Sequence, residues 1–479
     1  MASRLVLVIA AALMLCASAA EAAPWKRVTT SDGSNSDQVG LARTPNGALQ
    51  VVWHHRTGPS SEDLLRTQIT AAGAVGATTR VLTGWVGVQN AAVVVGSESH
   101  YGPGLWVFFG GQRSTDTSDP FIGLNTAFLW AQGGGYTLAL LGKIASGGQP
   151  YGSPVAATVL VDGTLLQAWA GTLGTWVHSG LNAATQLFNY QTPLGNYGYD
   201  VGMVGGSKGT MAWYSNATGH LGVYAQSVNS NGSPGGALMR MPGTGNMRVG
   251  MIGRTPIAVA QHPVRPGLKI SREYVAYATG YPALNAIRLW RVGASSSRVL
   301  ARTKRTGNTT ATLATDSNGR IWVAWTNMVG SVPHVFARRS NRTGSIFGAV
   351  VDAGRPTGTP SIYRLDANTT TAALDLFANA GVGLTASTAT SYRRTLPGLT
   401  LGAAPRPLPR GKATDVVFRV LDAGDPVAGA TVKAAGRSGV TNASGKATLR
   451  IPARTRALQA SARAPRYVGA AITLRVRRR

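Results

Sequence analysis

The feature that most constrains the fold of this chain is a short hydrophobic phrase that recurs and ends each time at a tryptophan. It occupies residues 46–53, 161–169 and 317–325, and in each copy a glycine (Gly47, Gly163 or Gly319) lies six residues before the tryptophan. A second echo, Val201–Gly205 and Val249–Gly253, is offset by 48 residues (from 201 to 249). Self-similarity at roughly 40–50 residues per unit is typical of β-propellers and related arrays.

The region from residue 25 to residue 400 has the pattern of short strands. Apolar runs such as Leu105–Phe109 and Ile321–Trp325 alternate with clusters of Gly, Asn, Ser and Pro. They are rich in β-branched and aromatic residues, which favours strands. No stretch after residue 22 sustains the 3.6-residue apolar period of a helix. The sequence therefore predicts an all-β protein.

The repeat starts predict a propeller of six or seven blades. They fall near Val39, Asn90, Pro154, Val201, Val249, Thr310 and Thr359. This spacing fits four-stranded blades with variable loops. Seven blades match all the starts, and six blades plus a linker is the alternative, because the unit from Ser361 to Leu396 is poor in aromatic residues. We expect Trp25–Val28 to complete the last blade and close the ring.

The N-terminus has the pattern of a secretory signal peptide over residues 1–22. Arg4 precedes an apolar stretch, and Ala20-Glu21-Ala22 forms a cleavage signal that predicts cutting after Ala22. The single cysteine, Cys16, lies inside this segment, so the mature chain has no disulfide, cysteine metal site or thiol nucleophile. No later segment reaches the ~20 apolar residues of a membrane span. We expect a secreted, extracellular or cell-surface protein.

The composition changes after residue 400. Residues 401–411 contain Pro405-Arg-Pro-Leu-Pro409, which predicts a proline-rich linker between a propeller over 23–400 and a further domain over 412–479. In that last segment, alternating runs such as Asp415–Leu421 and Lys446–Ile451 are separated by turn residues. This pattern predicts a small β-sandwich of the Ig-like or transthyretin-like kind.

The repeated region resembles the sialidase-like (BNR-type) propellers of exported bacterial proteins. Ser340, Gly344 and Phe347 occupy the serine, glycine and aromatic positions of that family's Asp-box, whereas Arg342 replaces its aspartate. The catalytic members of the family use an arginine triad, a tyrosine with a glutamate, and an acid/base aspartate. None of these could be matched here, and Arg450-Ile-Pro452 lies in the wrong domain for the family's Arg-Ile-Pro motif. The resemblance implies a fold and carries over no active-site residue.

The C-terminal segment resembles carboxypeptidase-regulatory-like and bacterial Ig-like domains. The resemblance rests on Val427–Val432 followed by Gly439–Leu449. Such modules are accessories, spacers or adhesive units, so the resemblance implies no catalytic role.

The net charge of +28, with only 18 acidic residues, suggests a polyanionic partner. We expect an acidic polysaccharide or another cell-envelope polymer, held by arginines because guanidinium pairs bidentately with carboxylate or phosphate. A biased composition on a solvated surface would produce the same charge. No specific nucleic-acid partner is predicted.

Two places that interrupt the repeat supply the candidate binding residues. The long loop of the second unit contributes Arg113, Asp116 and Asp119, and the entry to the fourth unit contributes Tyr197, Tyr199 and Asp200. Carboxylates and hydroxyls around Asp116 suit Ca²⁺ in type, but their spacing does not match a calcium loop. A tyrosine beside an aspartate could act as a nucleophile or proton donor, whereas an aromatic loop packed between blades is the plainer interpretation. No metal site or cofactor is predicted.

The tryptophans divide into two groups. Those at matching repeat positions are expected to pack between blades: Trp53, Trp169, Trp213 and Trp325. Those outside the register are candidates for exposed sugar-stacking platforms: Trp85, Trp130, Trp176 and Trp290.

These patterns predict an exported binding or adhesion protein that recognises an acidic glycan or envelope polymer and is not an enzyme. The alternative is a glycan-active hydrolase or lyase of sialidase-like architecture. An Asp, Glu, Tyr and Arg cluster at one mouth of the central channel would favour the alternative.

Overall fold

The computed structural model of the chain describes residues 24–29, 39–98, 102–116, 118–119, 123–130, 139–140, 155–171, 174–180, 187–189, 201–215, 219–245, 257–262, 272–279, 285–303, 310–370, 373–382, 389–453, 456–465 and 467–477. The regular elements of these segments are all β-strands, which confirms the all-β prediction. No helix in them is long and apolar enough to cross a membrane. The predicted signal peptide lies outside the described residues.

The described residues between 26 and 397 form seven four-stranded antiparallel sheets that follow one another along the chain. After β1 (Lys26–Arg27), sheet 1 contains β2 (Gly40–Arg43), β3 (Leu49–Gly58), β4 (Ser61–Ile69) and β5 (Thr79–Trp85). Sheet 2 contains β6 (Gly87–Glu98), β7 (Gly102–Gln112), β8 (Gly123–Trp130) and β9 (Ala139–Leu140). Sheet 3 contains β10 (Val155–Val159), β11 (Leu165–Gly171), β12 (Gly174–Ser179) and β13 (Leu187–Asn189).

The next four sheets repeat this up-and-down order. Sheet 4 contains β14 (Val201–Gly205), β15 (Gly209–Ser215), β16 (Gly222–Val228) and β17 (Met239–Arg240). Sheet 5 contains β18 (Ile257–His262), β19 (Arg272–Thr279), β20 (Ala286–Arg291) and β21 (Arg298–Arg302). Sheet 6 contains β22 (Ala311–Thr315), β23 (Ile321–Val329), β24 (Val332–Arg339) and β25 (Val351–Asp352). Sheet 7 contains β26 (Ser361–Thr370), β27 (Ala373–Gly381) and β28 (Thr390–Pro397), and β1 is its fourth strand.

The repeated phrase is the hairpin between the first two strands of a sheet. Gly47, Gly163 and Gly319 have φ of 84°, 86° and 74°, a left-handed turn conformation that favours glycine. The tryptophan that follows lies on the second strand and is buried against the neighbouring sheet. Trp53 shares a cluster with Phe377 of sheet 7, and Trp169 shares one with Trp106 of sheet 2. The predicted packing of these tryptophans between units is confirmed, as it is for Trp213 and Trp325.

The first strands of the seven sheets lie side by side around a common centre. Each contacts the first strand of the next sheet, and β26 also contacts β2. Glycine makes this approach possible at several points. A Cβ on Gly40 would lie 2.4 Å from Val93 Cγ2, and one on Gly205 would lie 2.5 Å from the carbonyl oxygen of Val159. These glycines are therefore packing residues.

Sheet 7 joins the two ends of this region. Lys26 and Arg27 pair with Arg393 and Tyr392, as expected for a closing N-terminal strand. A buried carboxylate links sheets 7 and 1, since Asp375 accepts from Arg43 at 2.6 Å and from both Nε and Nη2 of Arg393 at 2.9 and 2.7 Å.

Two further sheets enclose a separate hydrophobic core after residue 399. Sheet 8 contains β29 (Thr400–Ala404), β30 (Ala413–Asp422), β31 (Asp425–Pro426) and β34 (Lys446–Pro452). Sheet 9 contains β33 (Arg437–Val440), β32 (Thr431–Ala434), β35 (Ala457–Arg463) and β36 (Ala470–Arg475). We call these two sheets the C-terminal module. Leu401 and Leu408 belong to its core, so the segment predicted as a linker (401–411) is packed on the module, because its leucines bury apolar surface there.

The C-terminal module contacts sheet 6 through buried charges at the hairpin between β30 and β31. Asp422 is fully buried, and its carboxylate oxygens lie 2.9 Å from Arg320 Nε and 2.8 Å from Arg339 Nε. Asp425 lies 2.9 Å from Arg320 Nη2, and Arg339 also pairs with Asp316 at 2.9 Å. Burial raises the pKa of Asp422 and lowers the pKa of Arg339, and the opposite charges act against both shifts. The contact therefore depends on these ion pairs, because the loss of one member would leave a buried charge without its partner.

Candidate functional site

The first strands surround a central cavity of about 200 Å³. Most of its described lining is small or aliphatic, with residues such as Gly40, Ala157 and Val259. Its charged lining residues are Arg364 and Asp366, whose side chains lie 3.3 Å apart. Asp366 also accepts the amide of Val39 at 3.2 Å. Asp366 is the single carboxylate of the described lining. Its hydrogen bond to Val39 connects sheet 7 to the residue that precedes sheet 1.

A second cavity, of about 330 Å³, opens between sheets 5 and 6. We call it the arginine pocket, because Arg272, Arg291 and Arg298 line it. The rest of its described lining is Tyr274, Leu289, Ser296, Ser297, Thr343, Gly344 and Ser345. No Asp or Glu is among these lining residues, so the pocket concentrates positive charge beside hydroxyl groups.

Strand register brings the three arginines together. Arg272 and Tyr274 share one face of β19, because side chains two apart on a strand point the same way. Tyr274 is paired with Arg291 of β20, and Leu289 of β20 is paired with Arg298 of β21. Arg272 and Arg291 therefore flank Tyr274, and Arg298 enters from the outer strand. Glu273, between Arg272 and Tyr274 in sequence, takes the opposite face.

The wall from sheet 6 is the hairpin that carries the Asp-box resemblance. Ser340 and Phe347 are bridged, and Gly344 has φ of 69°. Asn341 organises the turn, because its side-chain oxygen accepts the amides of Ser345 and Ile346 at 3.0 and 3.1 Å. At the position that corresponds to the Asp-box aspartate, this chain has Arg342. The hairpin thus keeps its shape without a carboxylate.

Arg298 ties this hairpin to sheet 5. Its Nη1 donates to the carbonyl of Ser345 at 2.6 Å, and its guanidinium lies 5.6 Å from the centre of the Phe347 ring. Burial lowers the pKa of the neighbouring Arg338, and repulsion from Arg298 lowers it further. An anionic group entering the pocket would offset that repulsion.

The predicted loop residues Arg113, Asp116 and Asp119 lie close together, and their side chains form contacts within the loop. Arg113 Nε lies 3.1 Å from Asp119, and Asp119 accepts the hydroxyl of Ser114 at 2.9 Å. Asp116 accepts the amide and hydroxyl of Ser118, which lowers the pKa of its carboxyl. These contacts shape the loop, and a role in binding stays a prediction. Tyr197, Tyr199 and Asp200 lie outside the described residues.

The predicted aromatic platforms are wrong for two residues. Trp85 is 3% exposed and packs edge-on against Phe109, and Trp290 is 2% exposed with its indole N–H bonded to Ala294. Trp176 packs partly buried against the core between sheets 2 and 3. Tryptophan outside the repeat register fills the outer layers of the sheets because the third and fourth strands also face neighbours. The side chain of Trp130 is not among those that the structure describes.

No group of three His, Asp or Glu side chains in the described segments could hold a metal ion. Sequence reasoning missed Arg272, Arg291 and Arg298. The alternation Arg-Glu-Tyr at 272–274 is a signal that puts Arg272 and Tyr274 on one face of a strand, but their pairing with Arg291 depends on strand register.

Comparison with known proteins gives structural matches alone. No family model and no curated protein sequence matches the chain. A polysaccharide lyase, PL25 ulvan lyase bound to -[GlcA(1-4)Rha3S]-, superposes with a TM-score of 0.47 at 10% identity over 78% of this chain and 97% of that chain. The BP39L lectin from Burkholderia pseudomallei gives 0.48 at 15% identity over 72% and 93%. A protein of unknown function from Dyadobacter fermentans gives 0.45 at 9% identity over 79% and 99%. The lyase and the lectin are β-propeller proteins.

Proposed function

We propose that this protein is an exported, non-enzymatic binding protein that recognises acidic glycan or another anionic envelope polymer through the arginine pocket. In this proposal sheets 1–7 are the seven blades of a closed propeller, and the C-terminal module is an Ig-like or carboxypeptidase-regulatory-like sandwich. The signal peptide is removed after Ala22, and the mature protein acts outside the cell or at its surface.

The observation that carries this function is the composition of the arginine pocket. Arg272, Arg291 and Arg298 line a cavity whose described lining has hydroxyls and no carboxylate. A guanidinium offers several N–H donors in a planar fork that fits a carboxylate or sulfate. The adjacent serine, threonine and tyrosine hydroxyls suit the remaining hydroxyl groups of a sugar. The pocket is therefore built to accept a charged sugar unit.

The test removes two arginines and measures binding of trigalacturonate by calorimetry. We expect R272Q/R291Q to weaken binding by at least about tenfold, since each hydrogen bond to a charged group contributes about 1.5–3 kcal/mol. The matched control, R56Q/R80Q, removes the same charge from sheet 1 and should leave affinity within about twofold. Equal losses in both variants would mean that general charge, and not the pocket, binds the sugar.

The same assay examines the alternative of a hydrolase or lyase. Asp366 is the carboxylate of the described channel lining, so D366N is the variant to compare. Turnover of an acidic glycan by the natural chain that disappears in D366N would contradict the non-enzymatic proposal. Binding without turnover supports it.

A further inference from the structure

The outer face of sheet 9 carries exposed cations at regular positions. Lys433 lies between the buried residues Val432 and Ala434, and Arg463 and Arg475 follow the buried residues Ala462 and Leu474. Because side chains alternate along a strand, these three cations point away from the core. We call this surface, with Gln459, Ser461 and Thr473 between the cations, the basic face.

The basic face carries no negative charge of its own. None of the four strands of sheet 9 contains Asp or Glu. The three carboxylates of the module after residue 400 lie on sheet 8 and its hairpin. Asp422 and Asp425 pair with Arg320 of sheet 6, and Asp415 lies 4.0 Å from Arg450. The module's acidic groups are therefore engaged elsewhere.

The strand register makes the basic face an elongated row. Lys433 is paired with Ser461, and Arg463 is paired with Thr431, so the two cations are diagonal neighbours with Cα atoms about 7–8 Å apart. Arg475 is paired with Ala457, six residues along β35 from Arg463, which is roughly 20 Å of strand. Between them Gln459 Nε2 donates to Thr473 Oγ1 at 3.0 Å. A row of this length matches a linear polymer better than a single small anion.

We propose that the basic face binds a linear acidic polysaccharide, as a second contact in addition to the arginine pocket. This inference rests on the proposed function. The face offers cations for the acidic groups and hydroxyl and amide groups for the sugar hydroxyls. Its outward positions include no Phe, Tyr or Trp, the residues on which the bases of single-stranded nucleic acid stack. The chemistry therefore favours polysaccharide over nucleic acid.

The contact between the module and sheet 6 allows the basic face and the arginine pocket to bind the same polymer chain. Buried ion pairs of Arg320 and Arg339 with Asp422 keep the module on the seven-sheet region. A chain held in the arginine pocket raises the local concentration of its own distant segments near the module. Long polymers should therefore bind more tightly than short oligomers that occupy the pocket alone.

The experiment compares two triple variants of the full chain against long polygalacturonate and trigalacturonate. K433Q/R463Q/R475Q removes three charges from the basic face, and R419Q/K446Q/R450Q removes three from the outer face of sheet 8, which also carries Asp415. We expect the first variant to bind the long polymer about tenfold more weakly, with a shallower salt dependence, and to bind trigalacturonate normally. The second should change polymer affinity by less than about threefold.

Several outcomes overturn the proposal. Equal losses in the two triple variants would assign polymer binding to overall charge. Tighter binding of single-stranded oligothymidylate than of polygalacturonate, lost in the first variant, would make the face a nucleic-acid site.

Failure of the arginine pocket is distinguishable, because R272Q/R291Q would then leave trigalacturonate binding unchanged while the first triple variant still lost polymer affinity. That result would retain the basic face and discard the pocket.

Discussion

At the scale of single residues, Gly205 shows why glycine recurs in the first strands. A Cβ at this position would lie 2.5 Å from the carbonyl oxygen of Val159 and 2.7 Å from Thr158 Oγ1, both on the first strand of the preceding sheet. The carbonyl oxygen belongs to the backbone and cannot yield without moving the strand. We predict that G205A lowers the free energy of unfolding by about 1–3 kcal/mol, the usual cost of overpacking. Urea unfolding followed by tryptophan fluorescence measures the change.

The matched control for this prediction is G236A. The nearest atom to a Cβ on Gly236 is Ser227 Cβ at 4.0 Å, an ordinary contact. Its stability should differ from that of the natural chain by less than about 0.5 kcal/mol. If G205A were as stable as G236A, the close approach of the first strands would be an incorrect description.

Residue chemistry also explains why the sequence could not locate the arginine pocket. Arg272 and Arg291 are separated by a hairpin and meet only through the register of β19 with β20. Arg298 lies on a third strand, β21, and reaches the pocket through its pairing with Leu289 of β20. A shift of one residue in either pairing would turn these side chains to the other face. This register depends on the packing of the whole sheet, so a local sequence motif does not predict it.

At the scale of elements, local patterns predicted hairpins well and exposure poorly. Gly47, Gly163 and Gly319 mark turns because their positive φ is a local requirement. Burial of Trp85 and Trp290 could not be predicted in this way, since each depends on a neighbouring sheet that covers an outer strand. In the proline-rich segment 401–411 the burial of Leu408 likewise depends on distant strands, because this leucine belongs to the core of the module.

The hairpin between β30 and β31 permits a test of how the module is attached. Arg320 is 2% exposed and pairs with both Asp422 and Asp425. We predict that R320M, which keeps the length of the side chain, destabilises the protein by about 3 kcal/mol at neutral pH, because Asp422 loses a buried partner. Calorimetric unfolding measures it, and R450M, in an exposed pair with Asp415, should change stability by less than about 1 kcal/mol.

The pH dependence of that loss has a defined sign. Burial raises the folded-state pKa of Asp422 above the ordinary value of 3.8, and Arg320 opposes the rise. Without Arg320 the pKa rises further, so the folded variant takes up a proton at a higher pH than the natural chain. By linkage, the deficit of R320M is complete above the raised pKa and shrinks as the pH falls through it. A deficit that grew on acidification would contradict the pairing.

At the scale of the whole molecule, the connection between sheets 1 and 7 depends on a short N-terminal strand. β1 covers the edge of β28, and the amide of Val28 donates to Ser391 at 2.9 Å. Val28 is buried in the cluster that joins sheets 1 and 7, and the indole N–H of Trp25 donates to the carbonyl of Ala353 at 2.8 Å. Cleavage after Ala22, as the signal sequence predicts, would leave all of these contacts in the mature chain.

Removing this strand should open the molecule at one place. A chain that begins at Ser31 loses the buried Val28 side chain and the hydrogen bonds of β1, so we predict a loss of roughly 3 kcal/mol relative to a chain that begins at Ala23. The uncovered edge of β28 then offers unpaired backbone groups to other molecules, which favours self-association. Thermal unfolding and light scattering measure the two effects together. If the shortened chain melted at the same temperature and stayed monomeric, sheet 7 would be stable as a three-stranded sheet and β1 would not be the element that closes the ring.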